Sequence, residues 1–203
     1  MNVGLWLVPP ADIAARLGQF MSLKPGILKS ASSFPHFPPH INLATVPTDS
    51  EGVNEELYSL IPRDHSAIPV TFKAVKIGGD MFPSLHVEIH DTGSLRVLRS
   101  IIANKLSEKS DEDPPRLALF YLHDDEPEER TKFMEELIHA NRIVERGPDG
   151  VALDCTKPLA QDITDDDLVS GFVGGEIWIV RYDVTTPYDW RIMKDMVIKL
   201  IAE

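Results

Sequence analysis

His40 and Asn42 are the first residues in this chain whose types and spacing can do chemistry together. They lie in Phe34-Pro-His-Phe-Pro-Pro-His-Ile-Asn-Leu-Ala-Thr-Val-Pro47. The prolines hold the approach extended, and the run from His40 to Val46 reads as a short strand. Side chains alternate faces along a strand, so His40, Asn42 and Ala44 share one face and Ile41, Leu43 and Thr45 the other. Ile41 and Leu43 belong in a core. His40 and Asn42 then point outward together, an imidazole and a short amide able to act on one small group. The spacing alone also allows a plainer reading, an edge-strand histidine without a role.

Two further stretches stand out. Pro114-Pro-Arg-Leu-Ala-Leu-Phe-Tyr121 repeats the form of Pro38-Pro-His-Ile-Asn-Leu43 roughly seventy-five residues later. This internal echo is the most informative feature of the sequence after the first motif itself. His86, Glu88 and His90 alternate with Leu85, Val87 and Ile89. That face could be read as a set of metal ligands, but the polar side of a half-buried strand is the simpler reading, and no metal is expected.

The elements that must position these residues follow from pattern. Val3 to Val8 is a β-rich run stopped by Pro9-Pro10, hence a strand. Ile13, Leu17 and Phe20 recur at helical spacing, predicting a helix over 11–23. Thr48-Asp-Ser50 is a cap cluster before Val53, Leu57 and Leu60, predicting a second helix closed by Pro62. Strands are expected at 68–77 and 85–90 around the Gly78-Gly79-Asp80 turn. A helix runs from Asp91-Thr-Gly-Ser94 to about Leu106, with Leu95, Leu98, Ile101 and Ile102 inward. After the acidic loop Ser107–Asp113 come the echo strand and an acidic helix over 125–140. The segment 147–167 reads as a loop insertion, with a short strand at Val151-Ala-Leu153. Glu176 to Tyr182 is a strong strand, and Trp190 to Ile201 a final element of either type. The order predicts one α+β domain over 1–203, with antiparallel sheets and helices outside.

Composition bounds the function. The chain has 203 residues, enough for a sizeable core. Its single cysteine, Cys155, excludes an internal disulfide. The apolar run at the N-terminus is short, ends at a double proline and lacks a basic flank, unlike a signal peptide. The expectation is a soluble protein of the cytoplasm or nucleus, with no membrane partner. The formal net charge is −12, with acidic clusters at Asp111–Asp113, Asp124–Glu126, Glu128-Glu129 and Asp165–Asp167. This argues against binding a long nucleic acid through its phosphates. It leaves open a small phosphorylated ligand in a local pocket, or a protein partner met by the acidic surface.

The echoed pair resembles the two motifs of the two-histidine (2H) phosphoesterases, and most of all the cyclic phosphodiesterases of fungi and plants. Phe37-Pro-Pro-His-Ile-Asn-Leu43 looks like their first His-x-Thr/Ser motif. Pro115-Arg-Leu-Ala-Leu-Phe-Tyr121 stands where their second, Pro-His-Leu-Ser-Leu-Leu-Tyr, would be. Leu5-Trp-Leu-Val-Pro-Pro10 looks like their first strand, and Glu176-Ile-Trp-Ile-Val-Arg181 with Pro187 and Trp190 like their closing strands. The resemblance implies a bilobal fold, two antiparallel sheets about a central cleft. It also implies a reaction without metal or cofactor, hydrolysis of a 2′,3′-cyclic nucleotide or of an ADP-ribose 1″,2″-cyclic phosphate. One histidine serves as base and one as acid, and two hydroxyls hold the phosphate.

This chain departs from that pattern. His40 matches the first histidine, while Asn42 replaces the first hydroxyl residue and can still donate an N–H. Arg116 replaces the second histidine and Ala118 the second hydroxyl. A guanidinium stays charged at any physiological pH, so Arg116 cannot exchange a proton, although it suits a phosphate. The expectation is a cleft that binds a phosphate or nucleotide through Asn42, Arg116, Tyr121 and His36, with His40 as sole catalytic group and little or no turnover. Two alternatives stand beside it: an active cyclic phosphodiesterase relying on His40, and a protein-interaction module with a relic cleft.

Overall fold

The computed structural model describes residues 2–25, 33–47, 53–62, 64–79, 84–106, 114–122, 127–148, 150–156, 164, 167–183, 186–193 and 196–201. The cap cluster at 48–50, the acidic loop 107–113, His123, the acidic run 124–126 and much of 157–167 lie outside the described residues.

The elements in chain order are β1 (Asn2–Val8), α1 (Ala11–Met21), β2 (Ile41–Pro47), α2 (Val53–Leu60), β3 (Ile68–Ile77), β4 (Leu85–Ile89), α3 (Gly93–Leu106), β5 (Arg116–Phe120) and α4 (Pro127–His139). There follow β6 (Ile143–Glu145), β7 (Val151–Asp154), β8 (Leu168–Val169), β9 (Gly171–Gly174), β10 (Glu176–Asp183), β11 (Thr186–Ile192) and β12 (Ile198–Lys199). They form two antiparallel sheets with helices packed around them. The larger runs β11-β10-β1-β2-β5-β4-β3-β9, with β12 also on β10, and the smaller runs β6-β7-β8. The large sheet divides into two halves, β11-β10-β1-β2 and β5-β4-β3-β9. They join where the two echoed strands meet, through the single pair Ile41–Leu117.

Burial explains why these segments are strands. Beyond Asn2, β1 is buried on both faces, so it reads as a continuous apolar run. Its Val3, Leu5 and Leu7 enter the main core, while Trp6 and Val8 join Val180 in a second cluster on the other face. Strand β3 alternates over its first six residues, with Ile68, Val70 and Phe72 inward and Pro69, Thr71 and Lys73 exposed. The main core lies behind the sheet, where α1 contributes Leu17 and Phe20, and α3 contributes Leu95, Leu98 and Ile102. Ile41, Leu43, Leu117 and Leu119 are all buried there. The last stretch, of either type by pattern, is two strands, β11 and β12.

Candidate active site

The face of the large sheet opposite the core carries the polar residues. Register places them. Ile41 pairs with Leu117, so one step either way sets His40 opposite Ala118 and Asn42 opposite Arg116. On the next strand His86 pairs with Ala118 and Glu88 with Arg116. On the other side Trp6 pairs with Asn42. Directly opposed residues of an antiparallel pair share a face. Two rows therefore cross the seam on one face: His40, Ala118 and His86, and beside it Trp6, Asn42, Arg116 and Glu88.

His40 is 5% exposed. Its ring stacks on the Trp6 indole with centroids 3.6 Å apart and planes 11° from parallel, and Phe37 meets it edge-on at 6.0 Å. The Pro38 carbonyl lies 2.8 Å from Nδ1. A carbonyl only accepts, so Nδ1 carries the proton and Nε2 keeps its lone pair. Burial lowers the His40 pKa to about 4, against a smaller upward push from the bond to Pro38. The ring is thus an oriented, neutral imidazole, the form a general base requires. Phe37 in turn stacks on Tyr121 at 4.4 Å. Tyr121 is buried, and burial raises its pKa. Its ring therefore braces the support of His40.

The alternation expected beyond Asn42 is interrupted. Leu5 pairs with Ala44 but Trp6 with Asn42, leaving Leu43 as an extra residue in β2. The bulge reverses the faces after it. Ala44, expected beside His40, packs on the main core instead. Thr45, expected on the core side, turns to the polar face: the exposed Asn42 donates Nδ2–H to Thr45 Oγ1 at 2.9 Å, and Thr45 Oγ1 lies 2.8 Å from the Tyr182 hydroxyl. Burial raises the Tyr182 pKa, so that hydroxyl is neutral. A hydroxyl thus stands beside Asn42 although the motif position lacks one.

Arg116 is partly exposed at the start of β5. His36 is exposed on the proline-rich approach. Lys76, opposite His86 on β3, and Lys73, which bonds Glu88, add positive charge to this side of an otherwise acidic chain. No group of three or more metal-ligating side chains occurs among the described residues. A separate groove of about 730 Å³, lined by Val8, Pro38, Pro39, Trp178 and Leu200 among others, does not include His40, Asn42 or Arg116.

Sequence reasoning missed Trp6 and Thr45 as neighbours of the site, and weighed His86 only as a metal ligand. The alternation of β4 did mark His86 as a polar residue on a sheet face. What it lacked was the register that puts this residue across from Ala118.

No family model matches the chain, and no curated protein matches it in sequence. Solved structures do match it in shape. One is E. coli LigT complexed with 3′-AMP, at 10% identity, TM-score 0.55, and 98% and 97% coverage of this chain and that one. Another is TT0787 of Thermus thermophilus, at 13% identity, TM-score 0.55 and full coverage of both chains. A third is described as a phosphoesterase, at 11% identity, TM-score 0.50 and 98% coverage of each. From end to end, then, this chain is similar in fold to LigT and TT0787, the bilobal arrangement that its two echoed motifs imply.

Proposed function

We propose that this protein binds the phosphate of a small nucleotide on the polar face between His40 and Arg116, as a 2H-phosphoesterase-like protein with an altered second motif. One observation carries the reading. The β2–β5 register sets Asn42 and Arg116 opposite one another, beside a stacked, neutral His40. An amide and a guanidinium on one face match the acceptor oxygens of a phosphate, the guanidinium adding charge-assisted hydrogen bonds, while the Nε2 lone pair of His40 is left to accept a proton. The bound 3′-AMP of LigT, a protein similar in fold, supports a nucleotide as ligand class. The spacing and order of the motifs support the fungal and plant cyclic phosphodiesterases as the nearer kin. Tyr121, stacked on Phe37, supports the His40 side of the site and stays a candidate ligand contact. The two motifs alone supply a single titrating group, so turnover through them alone is slow, by on the order of 10²–10⁴.

The test is titration calorimetry with nucleoside 2′- and 3′-monophosphates and inorganic phosphate. Arg116→Ala is expected to weaken nucleotide binding by about 10- to 100-fold, the range for a lost hydrogen bond to a charged group. Unchanged affinity in Arg116→Ala, or no binding by the native chain, overturns the reading.

A further inference from the structure

The polar face holds a second histidine that neither motif contains. His86 lies on β4 opposite Ala118, and Ala118 lies opposite His40 on the register set by Ile41–Leu117. The three form one row across adjacent strands. Strands stand about 4.8 Å apart, so the His40 and His86 backbones are separated by about 10 Å. The residue between them in that row is Ala118, whose side chain is a single methyl group.

His86 is 6% exposed, and its Nδ1 has no hydrogen-bond partner. A buried imidazole nitrogen left unpaired is costly and uncommon. The neighbouring Leu85, Val87 and Ile89 are all core residues, so the strand itself is well anchored. The residue it supports on the polar face is the one a purely structural strand would not need.

The geometry points to His86 as the second acid–base group of this site, paired with His40 for the hydrolysis of a small cyclic phosphodiester such as a 2′,3′-cyclic nucleotide. This rests on the phosphate-binding reading above and adds the reaction to it. A water oxygen attacks phosphorus and forms the new P–O bond while its proton passes to Nε2 of His40. The P–O bond to one sugar oxygen breaks, its electron pair stays on that oxygen, and His86 supplies the proton that neutralises it. The products are a phosphomonoester, a protonated His40 and a neutral His86, and exchange with solvent restores the starting pair. Arg116 neutralises charge on the phosphate.

The groups facing His86 shape its pH behaviour. Burial first, then Arg116, and less so Lys76, lower its pKa to about 4, while Glu88 pushes it up. Burial sets His40 at about the same value. The form with one proton shared by the pair is most populated near that pH. The kcat/KM profile is therefore a bell centred on the acid side of neutrality. A bound phosphodiester anion offsets the charge of Arg116 and strengthens the hold of His86 on its proton.

The experiment uses the full chain, 2′,3′-cyclic AMP as substrate and 3′-AMP as binding probe. The native protein is expected to hydrolyse the cyclic ester with a two-limbed, acid-centred profile. His86→Ala is expected to lose about 100-fold or more in kcat with little change in 3′-AMP affinity. Its profile should keep one limb, and added imidazole should restore part of the rate. His139→Ala, at the exposed end of α4, serves as the control that leaves the rate unchanged. Should His86→Ala fail to fold, His86→Asn carries the same expectations for rate and pH limb. Binding of 3′-AMP without any hydrolysis overturns the role of His86 and leaves the phosphate-binding reading standing. So does hydrolysis that either His86 variant leaves intact. Absence of 3′-AMP binding and of turnover overturns both.

Discussion

The support under His40 can be tested through a residue with no side chain. A Cβ built on Gly4 would lie 2.7 Å from Trp6 Nε1 and 3.1 Å from Tyr182 Cε1. Ordinary contact begins near 3.4 Å, so the indole must yield by about 0.7 Å in Gly4→Ala. It has little room to do so, being 3% exposed with its ring 3.6 Å from that of His40. The strain passes either into the His40 ring or into the β1 backbone, which is paired on both sides by β2 and β10. Overpacking of this kind costs about 1–3 kcal/mol. For a chain of this size that lowers Tm by about 2–12 °C. If His40 acts as the base proposed for it, a shift of under 1 Å in its imidazole also costs up to about 100-fold in rate. The assays are thermal melting, tryptophan fluorescence and the NMR titration of the His40 ring. A double-mutant cycle with Trp6→Phe isolates the contact, because the smaller ring removes the clash and should recover about 1 kcal/mol or more. Additivity of the two substitutions, or a Gly4→Ala protein with native Tm and native His40 titration, refutes the coupling.

Stability should fall as pH drops. His40 and His86 both carry native pKa values near 4 against an ordinary 6.5. Above 6.5 both are neutral in either state, and their contribution is fully present. Below it the unfolded chain binds protons first, so the contribution is lost between about 6.5 and 4; it is on the order of 3 kcal/mol for the buried His40 ring and smaller for His86, whose neighbouring charges are partly screened by solvent. Denaturant unfolding at pH 7 and pH 4.5 measures this, and a native protein that loses no more than His40→Gln over that interval contradicts it. Ser84 is fully buried, donates Oγ–H to the Leu122 carbonyl at 3.0 Å, and accepts the Leu122 N–H at 2.8 Å. Ser84→Ala leaves the Leu122 N–H without its partner and the Leu122 carbonyl with only the longer bond from Arg130 Nη2, and is expected to cost about 1–3 kcal/mol in chemical denaturation. It should also speed amide exchange at the end of β5, and unchanged exchange there would show that the β4–β5 register does not depend on this clasp.

Much of this protein was legible in one dimension, for a physical reason. Periodicity records which side of an element meets apolar surroundings. It marked β3 at its observed bounds, α1 and α3 to within two residues, and Ile41, Leu43, Leu117 and Leu119 as core. The proline-led echo named the two strands that meet at the seam of the large sheet. His40 and Arg116 were identifiable as chemical types with no structure at all, because an imidazole can exchange a proton at physiological pH and a guanidinium cannot. Tertiary structure decided what stands beside them. Pairing between strands far apart in the chain is set by packing and bulges, which leave little local trace. One extra residue at Leu43 turned Thr45 to the polar face and Ala44 to the core, against the simple alternation. The pairing of β1 with β2 laid Trp6 against His40, and the burial that follows makes that imidazole neutral. Likewise, the β4–β5 register alone brings His86 across from Ala118. Alternation could say that His86 lies on a sheet face. Which residues share that face is a property of neighbouring strands, and only the folded sheet assembles them.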